Sequence, residues 1–353
     1  MQPFSYTSDP VRVIFGRGTL AKVADEVQRL GCAKALVLST PQQKGEAVDL
    51  AKRLGALAAG TFHDATMHTP LGVTERALVL AREIGADCTV ALGGGSTTGL
   101  GKAIALRTDL PQIVIPTTYA GSEATAIIGE TKDGVKVTQR TLKVLPEVIV
   151  YDVDLNMTLP PALTATSGMN AIAHAVEALY AQDQNPVTSL MAEDGIRALA
   201  RALPIIVKEP GNVEARSDAL YGAWLCGTCL NAVGMALHHK LCHTLGGTFD
   251  LPHADVHTVV IPHATAYNAA AAPEAMRRIA AALGAKDAAQ GLFDLAKRLG
   301  APTSLAAIGM KADGIDKATD LAVKNPYWNP RPIDRPGIHH LIDNAFHGRA
   351  PTP

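Results

Sequence analysis

The chain has 353 residues, a formal net charge of −1 and 47% hydrophobic residues. Its length predicts two domains or one large one, and its hydrophobic fraction is sufficient for a sizeable core. The near-zero net charge gives no electrostatic reason to expect nucleic acid or an anionic membrane as a partner.

The N-terminus and the cysteines indicate the compartment. The sequence begins Met-Gln-Pro-Phe-Ser-Tyr, without the basic and apolar regions of a signal peptide. No stretch reaches the ~18 apolar residues of a membrane span. The cysteines number five, and Cys226-x-x-Cys229 is more typical of packed small residues than of a redox or zinc site. We therefore expect a cytoplasmic protein with no membrane partner.

Strand-like and helix-like segments alternate over residues 1–157. The predicted strands are 11–15, 35–39, 88–92, 112–115 and 148–151. The predicted helices are 20–30, 46–54, 71–84 and one that follows the glycines after Leu92 and ends near residue 106. Asp133-Gly134 lies between two β-type runs, 126–131 and 135–138, and predicts a hairpin turn. Continuous apolar strands that alternate with helices indicate a parallel sheet that is covered on both faces.

From Pro160-Pro161 onward the strand signals almost vanish and alanine-rich helical periodicity dominates. The predicted helices are 163–180, 186–203, 213–233, 238–245, 273–283 and 288–299. We therefore predict an α/β domain over residues 1–157 and an all-helical domain over residues 158–353.

A glycine-rich loop follows the predicted strand 88–92. Gly93, Gly94, Gly95 and Ser96 stand between this strand and a helix, with Ser96 expected at the N-cap. Glycines allow backbone N–H groups to approach a phosphate, and a helix N-terminus favours negative charge. The loop is not the G-x-G-x-x-G of a standard dinucleotide fingerprint. It therefore predicts phosphate binding without specifying the ligand.

A second polar loop leaves the next predicted strand. Thr117, Thr118 and Ser122 supply hydroxyl groups there, and Tyr119 is expected to supply a flat surface. In open α/β sheets, ligands bind at neighbouring loops on the carboxyl ends of the strands. We therefore expect this loop to lie beside the glycine-rich one.

The densest polar feature is the run His238-His239-Lys240-Leu241-Cys242-His243, followed by Gly246-Gly247 and by His253. His239 and His243 are four residues apart and share one face of a helix, which we expect the two glycines to end. Clustered imidazoles indicate metal binding, proton transfer or both.

Several segments together resemble the iron-containing (group III) alcohol dehydrogenases. The shared segments are 15–18, 93–96, 116–118, 121–123, 159–161, 168–178, 239–247 and 252–253. Within that family, segments 116–125, 237–249 and 329–332 are most similar to the branch that reduces maleylacetate. The resemblance implies a dehydroquinate synthase-like architecture: a dinucleotide-binding domain, a helical domain, an active site in the cleft between them and a homodimer.

The resemblance also implies an activity. It is NADH-dependent reduction of the carbon–carbon double bond of maleylacetate to 3-oxoadipate, in bacterial breakdown of aromatic compounds. In many relatives an Asp near Thr40 binds the ribose and repels a 2′-phosphate; because Thr40 does not repel it, we expect NADH use with NADPH tolerated. We assign Lys136 to the cofactor-binding set. Candidate cations for the two carboxylates of the substrate are Lys240, Arg331, Lys136 and Arg140.

The metal ligands of the family correspond to Asn170, His174, His239 and His253. An amide at position 170 replaces a carboxylate and removes one negative charge, so we expect that no metal is required. If a metal binds, His174, His239 and His253 would hold it. We interpret Asn170, His174, His239 and His253 instead as a polar wall of the substrate pocket. By family analogy His243 lies close to the nicotinamide, and we expect it to act with His253 and His239 in catalysis, as proton donor or oxyanion partner.

Three other functions remain open. A metal-dependent alcohol or polyol dehydrogenase of the same family would differ in metal content. A lyase related to dehydroquinate synthase would need a phosphate pocket rich in lysine and arginine, which is not evident in the sequence. A non-catalytic nucleotide-binding module would have no use for the clustered histidines.

Overall fold

The computed structural model describes residues 3–132, 135–324 and 326–353. The chain divides into two compact units. The first, here called the α/β unit, is Ser8–Leu159. The second, the helical unit, is Pro160–Pro353 together with the described residues that precede Ser8.

The α/β unit is built on a parallel sheet. Its strands are β1 (Arg12–Gly16), β2 (Ala35–Leu38), β3 (Ala58–Phe62), β4 (Cys88–Gly93), β5 (Gln112–Pro116) and β8 (Val148–Asp152), in the spatial order β1-β8-β5-β4-β2-β3. All neighbouring pairs in this sheet are parallel. Its helices are α1 (Val23–Arg29), α2 (Lys44–Leu54), α3 (Leu71–Glu83), α4 (Gly95–Thr108) and the short α5 (Val153–Asn156). Strands β6 (Ile127–Lys132) and β7 (Val135–Arg140) form a separate antiparallel pair.

The sheet is covered on both faces, as its apolar strands predict. Alternate residues of β2 belong to different cores: Val37 packs with Val90 and Ile113, whereas Leu36 packs with Ala91 on the opposite face. This two-residue alternation follows from strand geometry. It explains why strands with no polar face occupy the middle of the sheet.

One strand of this unit was not predicted, and one predicted turn lies outside the described residues. Strand β3 was not predicted, because its sequence, Ala-Ala-Gly-Thr-Phe, has few β-branched or large apolar side chains. The predicted turn residues Asp133 and Gly134 lie outside the described residues, although Lys132 and Val135 on either side of them are paired.

The described part of the helical unit contains helices and no strand. They are α6 (Pro161–Ala178), α7 (Pro186–Lys208), α8 (Val213–Ala232), α9 (Leu237–Phe249), α10 (His253–Asn268), α11 (Pro273–Leu283), α12 (Ala288–Arg298), α13 (Gly314–Val323) and α14 (Arg335–His347). The largest apolar cluster among them includes Leu241, Leu245, Val260 and Ile342. An α/β unit followed by a helical unit confirms the predicted fold class.

The helices of this unit differ from the predicted ones at the end of α9 and in three helices that were not predicted, α10, α13 and α14. Gly246 and Gly247 do not end α9, which continues to Phe249 and stops where Asp250 adopts a left-handed conformation at φ 52°. Helix α10 was not predicted, because it is buried almost all round and therefore carries no amphipathic stripe.

Among the described residues, no single helix has both the length and the apolar composition to cross a membrane. By length and composition alone, the pair α8 and α9, bent by 98°, meets the two requirements together.

Candidate functional site

The chain reverses direction in the sheet between β2 and β4. From β2 it continues outward to β3, and from β4 it continues the other way to β5. Ligands of open α/β sheets bind at such a switch point, outside the carboxyl ends of the strands. The segments that leave the two strands here begin with Ser39-Thr40 and with Gly94. Two of the predicted cofactor-binding segments are therefore neighbours at this point.

Two glycines of the loop have no room for a side chain. Gly93 has a φ of +152°, and a Cβ there would lie 2.4 Å from Oγ1 of Thr97. A Cβ on Gly94 would lie 2.9 Å from Thr118. Gly95, by contrast, would contact Ala120 at an ordinary 3.8 Å. At Gly93 and Gly94 the absence of a side chain therefore allows the backbone to approach its neighbours and a ligand closely, which other residues do not.

The helix after this loop begins two residues earlier than expected. Gly94, not Ser96, is the N-cap of α4, and it has no side chain to bond the first N–H groups. The N–H groups of Thr97 and Thr98 reach the Gly94 carbonyl, both at 3.1 Å. We call Gly93 and Gly94 the glycine cradle. This cradle, together with a helix N-terminus that has no side-chain cap, fits the diphosphate of a dinucleotide.

Two of the other predicted cofactor residues lie beside this loop: the Thr117 N–H donates to the Gly93 carbonyl at 3.1 Å, and Thr118 lies next to Gly94. Thr40 is half-buried and begins a short 3-10 turn. Oγ1 of Thr117 accepts a hydrogen bond of 3.0 Å from Nε2 of Gln43, which ties the segments after β2 and β5 together. Tyr119 is fully buried and offers no open flat surface, contrary to expectation. The Lys136 side chain lies outside the described residues.

Lys102 was not among the predicted site residues. This buried lysine donates from Nζ to the carbonyl oxygens of Ser122, Thr125 and Ile127 at 2.6–2.8 Å. Burial lowers the pKa of Lys102 to about 7. The contacts fix the segment that carries Ser122. The sequence feature that could have indicated this role is that Lys102 is a single lysine on an otherwise apolar stretch of α4.

In the helical unit, the histidines of α6, α9 and α10 meet in one cluster. We define the histidine cluster as His174, His238, His239, His243, His253 and His257. His174 Nδ1 lies 2.9 Å from His239 Nε2. Asn170 lies one turn before His174 on α6 and is buried. The structure thus brings together the predicted residues His174, His239, His243 and His253, and adds His257 to them.

Glu177 fixes the protonation of the central pair. Its carboxylate accepts the backbone N–H groups of Ala236 at 2.9 Å and His238 at 2.8 Å, and it lies 2.6 Å from Nδ1 of His239. Because a carboxylate accepts, His239 Nδ1–H donates to Glu177. In the neutral imidazole, Nε2 then has the lone pair and accepts from Nδ1–H of His174. The negative charge of Glu177 also lies at the N-terminus of α9, where the helix dipole stabilises it.

A second pair lies beside the first. His238 Nε2 is 2.9 Å from His257 Nδ1, and the Cys242 Sγ lies 3.6 Å from the same His238 nitrogen. Burial, followed by the neighbouring histidines, holds the pKa of His238 and His257 well below the usual value. Both are therefore neutral at physiological pH. The His253 ring lies against His257 with ring centroids 4.4 Å apart.

Of the remaining predicted residues, His243 and Lys240 lie beside Tyr327, whereas Arg331 lies against Tyr267. Nδ1 of the half-buried His243 lies 3.2 Å from the Tyr327 hydroxyl, and Nζ of Lys240 lies 5.7 Å from the centre of the Tyr327 ring. Arg331 instead stacks on Tyr267 at 4.0 Å and donates to its carbonyl at 3.1 Å. Lys240 is therefore the predicted cation that lies beside His243.

Glu177, His257 and Tyr327 were not among the predicted site residues. Glu177 follows His174 by three residues and His257 follows His253 by four, so each shares a helix face with a predicted residue. That spacing was a usable signal. Tyr327 lies in an irregular proline-containing segment, Pro326–Pro330, where no periodicity indicates which side chains meet.

Comparison with known proteins identifies the relatives of this chain. Residues 10–153 match the model of the iron-containing alcohol dehydrogenases, and residues 164–346 match that of the C-terminal part of the Fe-containing alcohol dehydrogenase family. The chain belongs to the iron-containing alcohol dehydrogenase family.

Its relatives in this family include maleylacetate reductases. The one from Rhizobium sp. strain MTP-10005 is 58% identical over 99% of this chain and 100% of its own length. The one from Burkholderia cepacia is 56% identical over 100% of both chains. The crystal structure of maleylacetate reductase from Agrobacterium tumefaciens has a TM-score of 0.97 and 59% identity, and it covers 99% of this chain and 100% of that one.

The name of the family implies iron, and the geometry of the cluster allows a test of the fit. Nitrogen atoms that share a tetrahedral ion at ~2.0–2.1 Å lie about 3.3 Å apart. His174 Nδ1 and His239 Nε2 are 2.9 Å apart, which fits a hydrogen bond better. The residue one turn before His174 is the neutral Asn170. In this structure the two histidines are therefore hydrogen-bonded to each other, and an amide takes the place of the carboxylate ligand of the metal-using relatives.

Proposed function

We propose that this chain is an NAD(P)H-dependent oxidoreductase that reduces the carbon–carbon double bond of maleylacetate to 3-oxoadipate in the breakdown of aromatic compounds. The observation that carries the proposal is the buried chain of hydrogen bonds from Glu177 through His239 to His174. It bonds two of the histidines that would hold a metal to each other, beside the neutral Asn170 at the position where metal-using relatives have a carboxylate. Identity of 58% to a maleylacetate reductase supports the choice of substrate.

The chemistry of the substrate suits a polar wall. The reduced nicotinamide supplies a hydride to the double bond, and negative charge then collects on the conjugated ketone oxygen as an enolate. Hydrogen-bond donors aimed at that oxygen stabilise the enolate, and a proton donor completes the reaction at carbon. His243 is the half-buried histidine of α9 and is the residue we propose as proton donor. His239, His253, His174 and Asn170 supply the polar wall.

The cofactor is proposed to be NADH, with NADPH tolerated. The glycine cradle at Gly93 and Gly94 supports dinucleotide binding. Thr40, at the carboxyl end of β2, has no negative charge to repel a 2′-phosphate. We expect kcat/KM to favour NADH by less than about a thousandfold. A larger preference would contradict this assignment of Thr40.

We propose that no bound metal is required. This expectation departs from the name of the family, and its support is the 2.9 Å pair of His174 and His239 together with Asn170 at the position of a carboxylate. A metal-dependent alcohol dehydrogenase would reduce the ketone instead of the double bond.

A labelled cofactor separates the two reactions. The protein is incubated with maleylacetate and NADH that carries deuterium at the transferred position of the nicotinamide, and the product is analysed by mass spectrometry and NMR. Deuterium on a methylene carbon of 3-oxoadipate supports double-bond reduction. Deuterium on a carbinol carbon would show that the ketone is reduced and would overturn the proposal.

We further propose a cytoplasmic homodimer that acts on a small dicarboxylate. All five cysteines are buried free thiols, which suits a reducing compartment. Leu163, Val187 and Leu190 expose apolar surface on α6 and α7 that a second copy could cover. Light scattering should give twice the 36.9 kDa mass of one chain, and a single-chain mass would exclude the dimer.

A further inference from the structure

Tyr327 contacts two residues of α9 that lie three apart. Its hydroxyl is within hydrogen-bonding distance of His243, at 3.2 Å, and its ring lies under Nζ of Lys240 at 5.7 Å. Tyr327 is 37% exposed, and His243 and Lys240 are half-buried. A phenol, an imidazole and an ammonium group therefore meet where solvent can reach them.

Lys240 has the properties of a ligand-binding cation. Among the described residues it makes no ion pair, whereas Arg140 pairs with Asp9 at 3.8 Å and Arg331 is stacked on Tyr267. The Tyr327 ring restrains the lysine side chain through a cation–π contact without neutralising its charge. An ammonium group held in this way can still form a charge-assisted hydrogen bond with an incoming carboxylate.

We propose that Lys240 and Tyr327 form a carboxylate subsite for one end of the dicarboxylate substrate, and that Tyr327 is a positioning residue for His243. The inference rests on the proposed function. The Tyr327 oxygen accepts from Nδ1–H of His243 and so directs Nε2–H to the reaction. When the Nε2–H bond breaks, the proton forms a C–H bond with the enolate carbon. His243 keeps its Nδ1–H and regains the other proton from solvent.

The two residues should affect different kinetic constants. Lys240→Met removes the charge and should raise KM for maleylacetate by about tenfold or more, with a smaller change in kcat. Tyr327→Phe keeps the ring and removes the hydroxyl. It should lower kcat by about tenfold with KM little changed, and it should raise the solvent deuterium isotope effect on kcat because proton transfer becomes slower.

The chain contains matched controls. Lys297 lies 5.6 Å over the ring of Phe293, so Lys297→Met removes another cation–π lysine. Tyr221 donates to Asp194 at 2.9 Å, so Tyr221→Phe removes another tyrosine hydroxyl. Both variants should behave as the unmodified protein does.

Binding of adipate, an unreactive dicarboxylate, tests the subsite without turnover. Calorimetry should give a dissociation constant about tenfold weaker for Lys240→Met, with hexanoate, which has a single carboxylate, binding weakly to both proteins. Unchanged adipate affinity in Lys240→Met would overturn the subsite even if maleylacetate is reduced. Unchanged kcat and isotope effect in Tyr327→Phe would overturn its positioning role. If the protein binds adipate through Lys240 but does not reduce maleylacetate, the subsite stands and the proposed function fails.

Discussion

Nδ1 of His239 lies 2.6 Å from a carboxylate oxygen of Glu177, and this contact decides which nitrogen of His239 carries a proton. Glu177 is completely buried. The same carboxylate accepts backbone N–H groups at the start of α9, so it fixes the position of that helix as well as the protonation of its histidine. The orientation of the histidine cluster therefore depends on a residue outside it.

Replacement of Glu177 by Gln should destabilise the protein. An amide has one accepting oxygen, so several buried N–H groups lose their partner, and the free energy of unfolding should fall by about 3 kcal/mol. Urea unfolding measures the change. The control is Glu274→Gln, which removes an exposed carboxylate paired with Arg277. A Glu177→Gln variant as stable as its control would show that the contact does not hold α9 in place.

His243→Ala should lower turnover by about a hundredfold or more, because a positioned proton donor contributes that much to the rate. NADH binding, followed by nicotinamide fluorescence, should stay intact. His339, whose side chain is 40% exposed, supplies the control variant His339→Ala. Near-normal turnover by His243→Ala would remove this histidine from the mechanism.

Gly94→Ala should weaken NADH binding. The added Cβ would lie 2.9 Å from Thr118, and overpacking of about 1–3 kcal/mol that displaces the loop corresponds to about fivefold or more in affinity. Gly72→Ala is a matched control in the same unit, since nothing lies within 4 Å of its Cβ. Equal NADH dissociation constants for the two variants would show that the loop does not hold the cofactor.

His263 should make the protein sensitive to acid. Burial lowers its pKa from 6.5 to about 4. The unfolded chain therefore binds the proton more readily between these values, and stability present above pH 6.5 is lost as the pH falls towards 4. This residue accounts for about 3 kcal/mol of that loss. His263→Leu should reduce the slope of unfolding free energy against pH, and His339→Gln should not. An unchanged slope in His263→Leu would show that this histidine is not the source.

Much of the fold followed from the sequence because its strands and helices are separately patterned. Apolar runs such as Cys88–Gly93 specified a buried parallel sheet, and the loss of strand signals after Pro160-Pro161 indicated helices. Helix α10 could not be predicted from periodicity, since a helix buried on every side has no polar face to mark it. The end of α9 was misplaced because two glycines lower helix propensity without determining where tertiary packing stops the helix.

The sequence predicted most of the residues of the candidate site, but it did not predict the contacts that these residues make with one another. The histidine spacing placed His239 and His243 on one face of α9, and the structure adds the partners that decide their chemistry. Tyr327 is separated from His243 by 84 residues, and its contact depends on tertiary packing that no local pattern encodes. The pairing of Lys240 rather than Arg331 with the site has the same origin.

The most direct test of the account is turnover with and without metal. Metal content is measured in the purified protein before and after exhaustive dialysis against a strong chelator, and oxidation of NADH by maleylacetate is followed for both samples. We predict equal kcat and KM, with 3-oxoadipate as the product of both, because hydrogen-bonded imidazoles take the place of a metal ion. Loss of activity on chelation that Fe²⁺ or Zn²⁺ restores would contradict the account.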